Sequence, residues 1–134
     1  MSSISLDEIL THMEFLGYEI EKKEEGQFVA RHESNGNIIG RPYQGGVLFQ
    51  QYWVLNKYNS ANRSECLEAI NDLNSGANVS TYVISTDSDG DTLLRMDACY
   101  FGLYDKKTFG VFLESYNTDT AGRLAQNETL RALI

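Results

Sequence analysis

A chain of 134 residues that is 42% hydrophobic, with six Phe and eight Tyr, has enough apolar mass for one packed domain without disulfides or a structural metal. Its net charge of −8, with only 11 Lys plus Arg spread along the chain, argues against the phosphate-neutralising surfaces that drive binding to nucleic acid and anionic membrane. A single Pro and 11 Gly exclude collagen-like and proline-rich segments.

The first predicted element is a helix over residues 5–16, where Leu6, Ile9, Leu10, Met13 and Leu16 recur at helical spacing. Ser5 and Glu8 have the spacing of a capping box, and Ile4 and Ile9 that of a hydrophobic staple. Gly17 stands where a left-handed C-cap is wanted, with Tyr18 able to fold back onto Met13. The charged run Glu19–Glu25 reads as a connection that ends at Gly26.

A strand is predicted over Gln27–Glu33, with Phe28, Ala30 and His32 on one face. Asn35-Gly36 signals a hairpin turn into a short strand around Asn37–Gly40. Pro42 cannot donate to a ladder and marks an edge or a turn. Gly45-Gly46 opens a long strand over Val47–Leu55, where Val47, Phe49, Trp53 and Leu55 share a face interrupted by Gln51.

After a polar loop, Asn62 and Glu65 repeat the cap spacing, and Cys66, Leu67, Ile70, Leu73 and Ala77 form a second helical stripe that ends near Gly76. Two strands follow, Asn78–Ser85 and Thr92–Phe101, joined by the turn Asp87-Ser88-Asp89-Gly90. A third helix is capped by Asp105 and buries Phe109, Phe112, Leu113 and Tyr116. It kinks or breaks over Asn117–Gly122, and Leu124, Leu130, Leu133 and Ile134 extend it to a loosely ordered end. Helix, three strands, helix, two strands, helix, joined by short turns, predicts a single α+β domain with an antiparallel sheet.

Candidate chemistry is sparse. Asp87, Asp89 and Asp91 alternate as in a calcium loop, but the sixth position is Thr92 and the twelfth Ala98, neither of which such a loop accepts. Gly90 suits a hairpin turn instead. His12 and His32 are the only histidines, without metal-ligand spacing to each other or to a cysteine. Cys66 lies on an apolar helix stripe. Cys99 lies beside Arg95 and Asp97 with no histidine tied to it. There is no nucleophile elbow, phosphate loop or dinucleotide glycine pattern. Gln50-Gln51-Tyr52-Trp53 has Lys57 as its one basic escort, too little for a base-stacking platform. No cofactor and no metal site is expected.

Cys66 and Cys99 also lack C-x-x-C spacing to each other, no basic-then-apolar leader is visible, and no stretch approaches the roughly 20 apolar residues of a membrane span. These features predict a cytoplasmic, reduced protein, in which the glycosylation sequons at Asn62, Asn78 and Asn127 are chance.

One feature exceeds what a single core requires. With Thr81, Val83 and the Leu94–Tyr100 set turned to the helices, Tyr82, Ile84, Leu93, Cys99 and Phe101 are expected to share the opposite sheet face. Either the C-terminal helix covers that face, or it forms a dimer or partner interface, where aromatic residues are enriched.

The first helix ending in Leu16-Gly17-Tyr18, the run Glu68-Ala69-Ile70-Asn71-Asp72-Leu73-Asn74 closing the second, Thr81-Tyr82-Val83 opening a strand, the Asp87-Ser88-Asp89-Gly90-Asp91 hairpin and a last aromatic helix together resemble the YbjN family of bacterial proteins. The resemblance spans most of the chain. It implies the fold of the type III secretion chaperones, small, acidic and usually dimeric proteins that bind an extended segment of another protein, and it supplies no catalytic residues. The expectation is a non-enzymatic protein-binding module, chaperone-like or regulatory, homodimeric, with an unidentified protein partner. Two alternatives stand beside it: a small enzyme or enzyme subunit with a folded-up site near His32, Cys99 and Asp97, and a calcium-responsive module through Asp87, Asp89 and Asp91.

Overall fold

The computed structural model describes residues 6–134, so the capping box and staple at Ser5 and Ile4 lie outside the described residues. Helix α1 (Leu6–Phe15) buries Ile9, Leu10 and Met13. It ends as its glycine requires. Gly17 adopts φ +99°, its N–H donates to Glu14 O at 3.0 Å, and Tyr18 N–H donates to Met13 O at 3.0 Å. That pair of bonds satisfies the last carbonyls of the helix and turns Tyr18 into the core.

Six strands form one sheet: β1 (Glu19–Lys22), β2 (Phe28–Arg31), β3 (Ile38–Tyr43), β4 (Gly46–Val54), β5 (Thr81–Thr86) and β6 (Thr92–Phe101), in spatial order β1-β2-β3-β4-β6-β5 with every pair antiparallel. The α+β class with helices on an antiparallel sheet is as the pattern predicts. The added strand is β1, drawn from the charged run. As an edge strand it needs backbone pairing with β2 and only Ile20 turned inward, so Glu19, Glu21 and Lys22 stay in water. Strand β2 stops at Arg31, and His32 caps the following turn through Nδ1, which accepts from Ser34 N–H at 3.0 Å and Asn35 N–H at 3.1 Å.

Pro42 lies within β3, opposite Val47, beyond the point where β2 stops pairing at Gly40. Its missing N–H therefore breaks no ladder on the β2 side. The β3–β4 turn is two residues long, with Gln44 and Gly45 both at positive φ (48° and 83°). That geometry matches the twist of the flanking strands. Gly40 faces Phe28 across the ladder, and the ring lies over it in the space a β-carbon would fill.

Helix α2 (Arg63–Gly76) carries the crossover from β4 to β5 and leaves between them the slot that β6 fills. Asn62 does not cap it. Its carboxamide turns back into the loop, accepting from Asn59 N–H at 2.9 Å and donating to Lys57 O at 2.9 Å. At the other end, Asn74 projects onto the outer edge of β5, donating to Tyr82 O at 2.9 Å and accepting from Tyr82 N–H at 2.7 Å.

Helix α3 (Lys106–Asn117) is capped by Asp105, whose carboxylate accepts from Thr108 N–H at 2.8 Å. The expected kink is a π-helical turn, Thr118–Arg123, followed by a 3-10 turn at Leu124–Gln126 and a short α4 (Glu128–Leu133). The chain end is not loose. Leu130 and Leu133 are buried, and Leu133 O accepts from Lys57 N–H at 2.9 Å. The wider π turn points Asp119 inward, where its fully buried carboxylate accepts from the N–H groups of Asn78 (2.7 Å), Val79 (3.0 Å) and Ser80 (3.1 Å). These three residues were expected in a strand; the carboxylate takes the bonds a ladder would have used.

The core lies between one sheet face and the helices. Phe28, Phe49, Tyr100, Phe109, Phe112 and Tyr116 form a continuous aromatic cluster with centroids 5.2–6.3 Å apart.

Candidate functional site

Side chains on a strand alternate between faces, so the register decides what each face displays. Strands β5 and β6 pair Thr86 with Thr92 across a five-residue loop closed by Asp87 N–H donating to Asp91 O at 3.0 Å. An odd loop places even-numbered residues of both strands on the same face. Tyr82 therefore stands opposite Met96 and Ile84 opposite Leu94, all on the helix side. This corrects the expectation for Tyr82 and Ile84, which assumed a four-residue turn. Tyr82 is buried and donates its hydroxyl to Asp119 O at 2.6 Å, and burial pushes its pKa well above the usual tyrosine range.

Leu93, Cys99 and Phe101 do share the opposite face, and the C-terminal helices do not cover it: they pack on the other side. The register adds neighbours that the sequence pattern leaves unassigned. Leu48 stands beside Cys99, and Ile39 and Val29 continue the apolar surface across β3 and β2. Phe101 is 59% exposed and Ile39 42%. The alternation of β4 held the clue, since turning Val47 and Phe49 inward turns Leu48, Tyr52 and Val54 outward.

A polar stitch crosses the same face. Asp97 accepts from Gln50 Nε2 at 2.9 Å and from Arg95 Nε at 3.0 and 3.1 Å. Both acidic oxygens are thus engaged by neighbours on the sheet. Burial raises the Cys99 thiol above its ordinary pKa, away from the thiolate a nucleophile requires. His32 lies against Tyr18, just beyond the end of α1, with ring centroids 4.7 Å apart and planes tilted by 51°, and is not gathered with Cys99 and Asp97. At the β5–β6 loop Asp87 Oδ1 accepts from Asp89 N–H (3.0 Å) and Asp91 N–H (2.9 Å), which is turn chemistry. Among the described residues no group of three or more His, Cys, Asp or Glu is placed to hold a metal ion.

His12 sits where α1 meets α3, its Nδ1 2.7 Å from the Tyr104 hydroxyl and its ring against Phe109. Burial, and secondarily the charge of Lys106, lowers its pKa from the ordinary value. The unfolded chain therefore holds this proton more tightly than the folded one. The stability it contributes is fully present above the unfolded pKa and is lost as pH falls through the lower folded value. Melting temperature is expected to drop over that acidic window, and the drop to be smaller in His12→Gln. Equal slopes in both proteins would overturn the assignment.

No protein-family model matches the sequence, and no curated protein matches it. Among solved structures the chain is similar to YbjN from E. coli, described as a proposed transcription regulator, with a TM-score of 0.66 at 10% identity over 90% of this chain and 92% of that one. At that identity the likeness concerns the fold, which is YbjN-like. No helix among the described residues is long and apolar enough to cross a membrane.

Proposed function

From a YbjN-like fold with one sheet face bare, we propose that the chain is a non-enzymatic protein-binding module, chaperone-like or regulatory, and that it pairs with a second copy of itself through that face. The observation that carries this reading is the apolar surface of Val29, Ile39, Leu48, Cys99 and Phe101, left without a covering element on a sheet whose other face is fully packed. Contiguous exposed apolar surface of this kind marks contact sites in folded proteins. The flanking charges suit self-association, because Arg31, Arg41 and Arg95 are matched by Glu19, Glu21 and Asp97 on the same face. Such a surface can meet its own copy without net repulsion.

A regulatory role, the one suggested for YbjN, would run through protein contacts here. A net charge of −8 opposes direct binding to phosphates. A cytoplasmic location fits the free thiols of Cys66 and Cys99.

Sedimentation velocity at high protein concentration tests the pairing. The wild-type chain is expected to run as a dimer, and Phe101→Glu or Ile39→Glu as a monomer. Both side chains are exposed, so each variant should still fold and melt cooperatively, losing only the part of the melting temperature that pairing adds. A wild-type chain that remains monomeric, or a dimer indifferent to both substitutions, would sink the reading.

A further inference from the structure

We propose that the groove between α1 and α3 docks an amphipathic helix of another protein, laid antiparallel to α3 with an acidic last turn against Lys106 and Lys107. The proposal shares with the preceding reading only the idea of a protein partner, and it uses the opposite side of the molecule.

The groove encloses about 1180 Å3, and its walls are mainly apolar. Phe15 stands on one wall 83% exposed with Leu16 beside it, and Val111 and Ala121 line the α3 side. A phenyl ring held that far into water at the end of a well-formed helix contributes nothing to the core. Helix α3 has 12 residues, so the groove offers a track of about 18 Å, the length of a three-turn helix. Helices dock in such tracks by a stripe of apolar side chains at third and fourth positions.

The charges give the orientation. Lys106 and Lys107 occupy the first turn of α3, the positive end of its dipole, where cations are disfavoured and carboxylates are the usual choice. The chain is strongly acidic, yet among the described residues neither lysine has a carboxylate within 4.0 Å, although Asp7 and Glu8 line the adjoining lobe. Asp105 is occupied by the Thr108 N–H. Lys107 feels the Asp105 carboxylate at longer range, but neither ammonium group is held in an ion pair among the described residues. At the end of an apolar track the two are complementary to carboxylates that an apolar segment carries at one end. A helix presents such an end most favourably at its C-terminus, whose own dipole is negative. Glu114, further along the track, repels an acidic end in the reverse orientation.

The probe is a fluorescein-labelled, Ala-based 16-residue helical peptide with Leu at third and fourth positions and two Glu in its last turn, compared at low ionic strength with the same peptide carrying two Lys there. By fluorescence anisotropy the Glu peptide is expected to bind about tenfold more tightly than the Lys peptide, with the preference inverted in Lys106→Glu/Lys107→Glu. Phe15→Ser and Val111→Glu, both at exposed positions, should abolish binding while leaving melting temperature and sedimentation unchanged. Phe101→Glu should leave peptide binding intact, which separates this groove from self-association through the sheet. Equal affinity for both peptides, no binding of either, or binding that survives Phe15→Ser would overturn the proposal.

Discussion

Asp119→Ala is expected to destabilise the protein by about 3 kcal/mol or more, because it removes the single acceptor group serving three consecutive backbone donors. The Asn78, Val79 and Ser80 N–H groups point at the carboxylate because the residues before β5 turn away from the sheet and have no ladder partner there. Asn78 and Val79 can recover water in the variant, whereas the Ser80 N–H is buried and cannot. The Tyr82 hydroxyl bond goes to the backbone oxygen of Asp119 and survives, so the loss reports the carboxylate. Asp119→Asn should lie between wild type and Ala, since it keeps one acceptor oxygen but turns an amide toward the remaining donors. Urea unfolding read as a shift in midpoint at constant slope measures both. A loss below about 1 kcal/mol for Ala would mean the three donors find other partners.

Gly40→Ala is expected to cost about 2–3 kcal/mol through overpacking. A β-carbon there would lie 2.1 Å from Phe28 Cζ and 2.4 Å from its Cε1. The ring cannot swing away, because Phe49 packs against it and both are buried. The aromatic residue covers the glycine across the ladder, replacing the packing the missing side chain would have supplied. Shortening the partner should relieve the clash: in a Phe28→Leu background the same Gly→Ala change is expected to cost less than about 1 kcal/mol. Additive losses in the double-mutant cycle would show that the strain lies elsewhere.

Both sites bear on what a reading of residues can reach. Helix α1 and its glycine stop, the Asp105 cap of α3 and the inward set of β6 were legible because each rests on spacing within a few residues. The Asn35-Gly36 signal marked the place of the β2–β3 connection but not its length, which runs over residues 32–37. Strand β1 was not, since an edge strand is held by backbone pairing and shows almost no apolar alternation. The face of β5 was not, since it turns on whether the loop to β6 counts four residues or five. Asn62 has the spacing of a cap, but the competing bonds to Asn59 and Lys57 lie in a loop whose path is set by tertiary contacts. Asp119 in a polar run looks like a surface residue until the π turn redirects it across 39–41 positions of sequence. Half of the candidate surface was therefore visible, namely Leu93, Cys99 and Phe101. The other half, Leu48, Ile39 and Val29, needed the strand order.

The carboxamide of Asn74, seated against Tyr82, plays the part of a neighbouring strand for one residue of β5. It denies that rim its next backbone partner, while Glu19, Glu21 and Lys22 keep the far rim charged. With both margins guarded, growth of the sheet from molecule to molecule is discouraged. The broad surface is the one left open for the self-pairing proposed above, and a pair formed there would close on itself instead of lengthening into fibres.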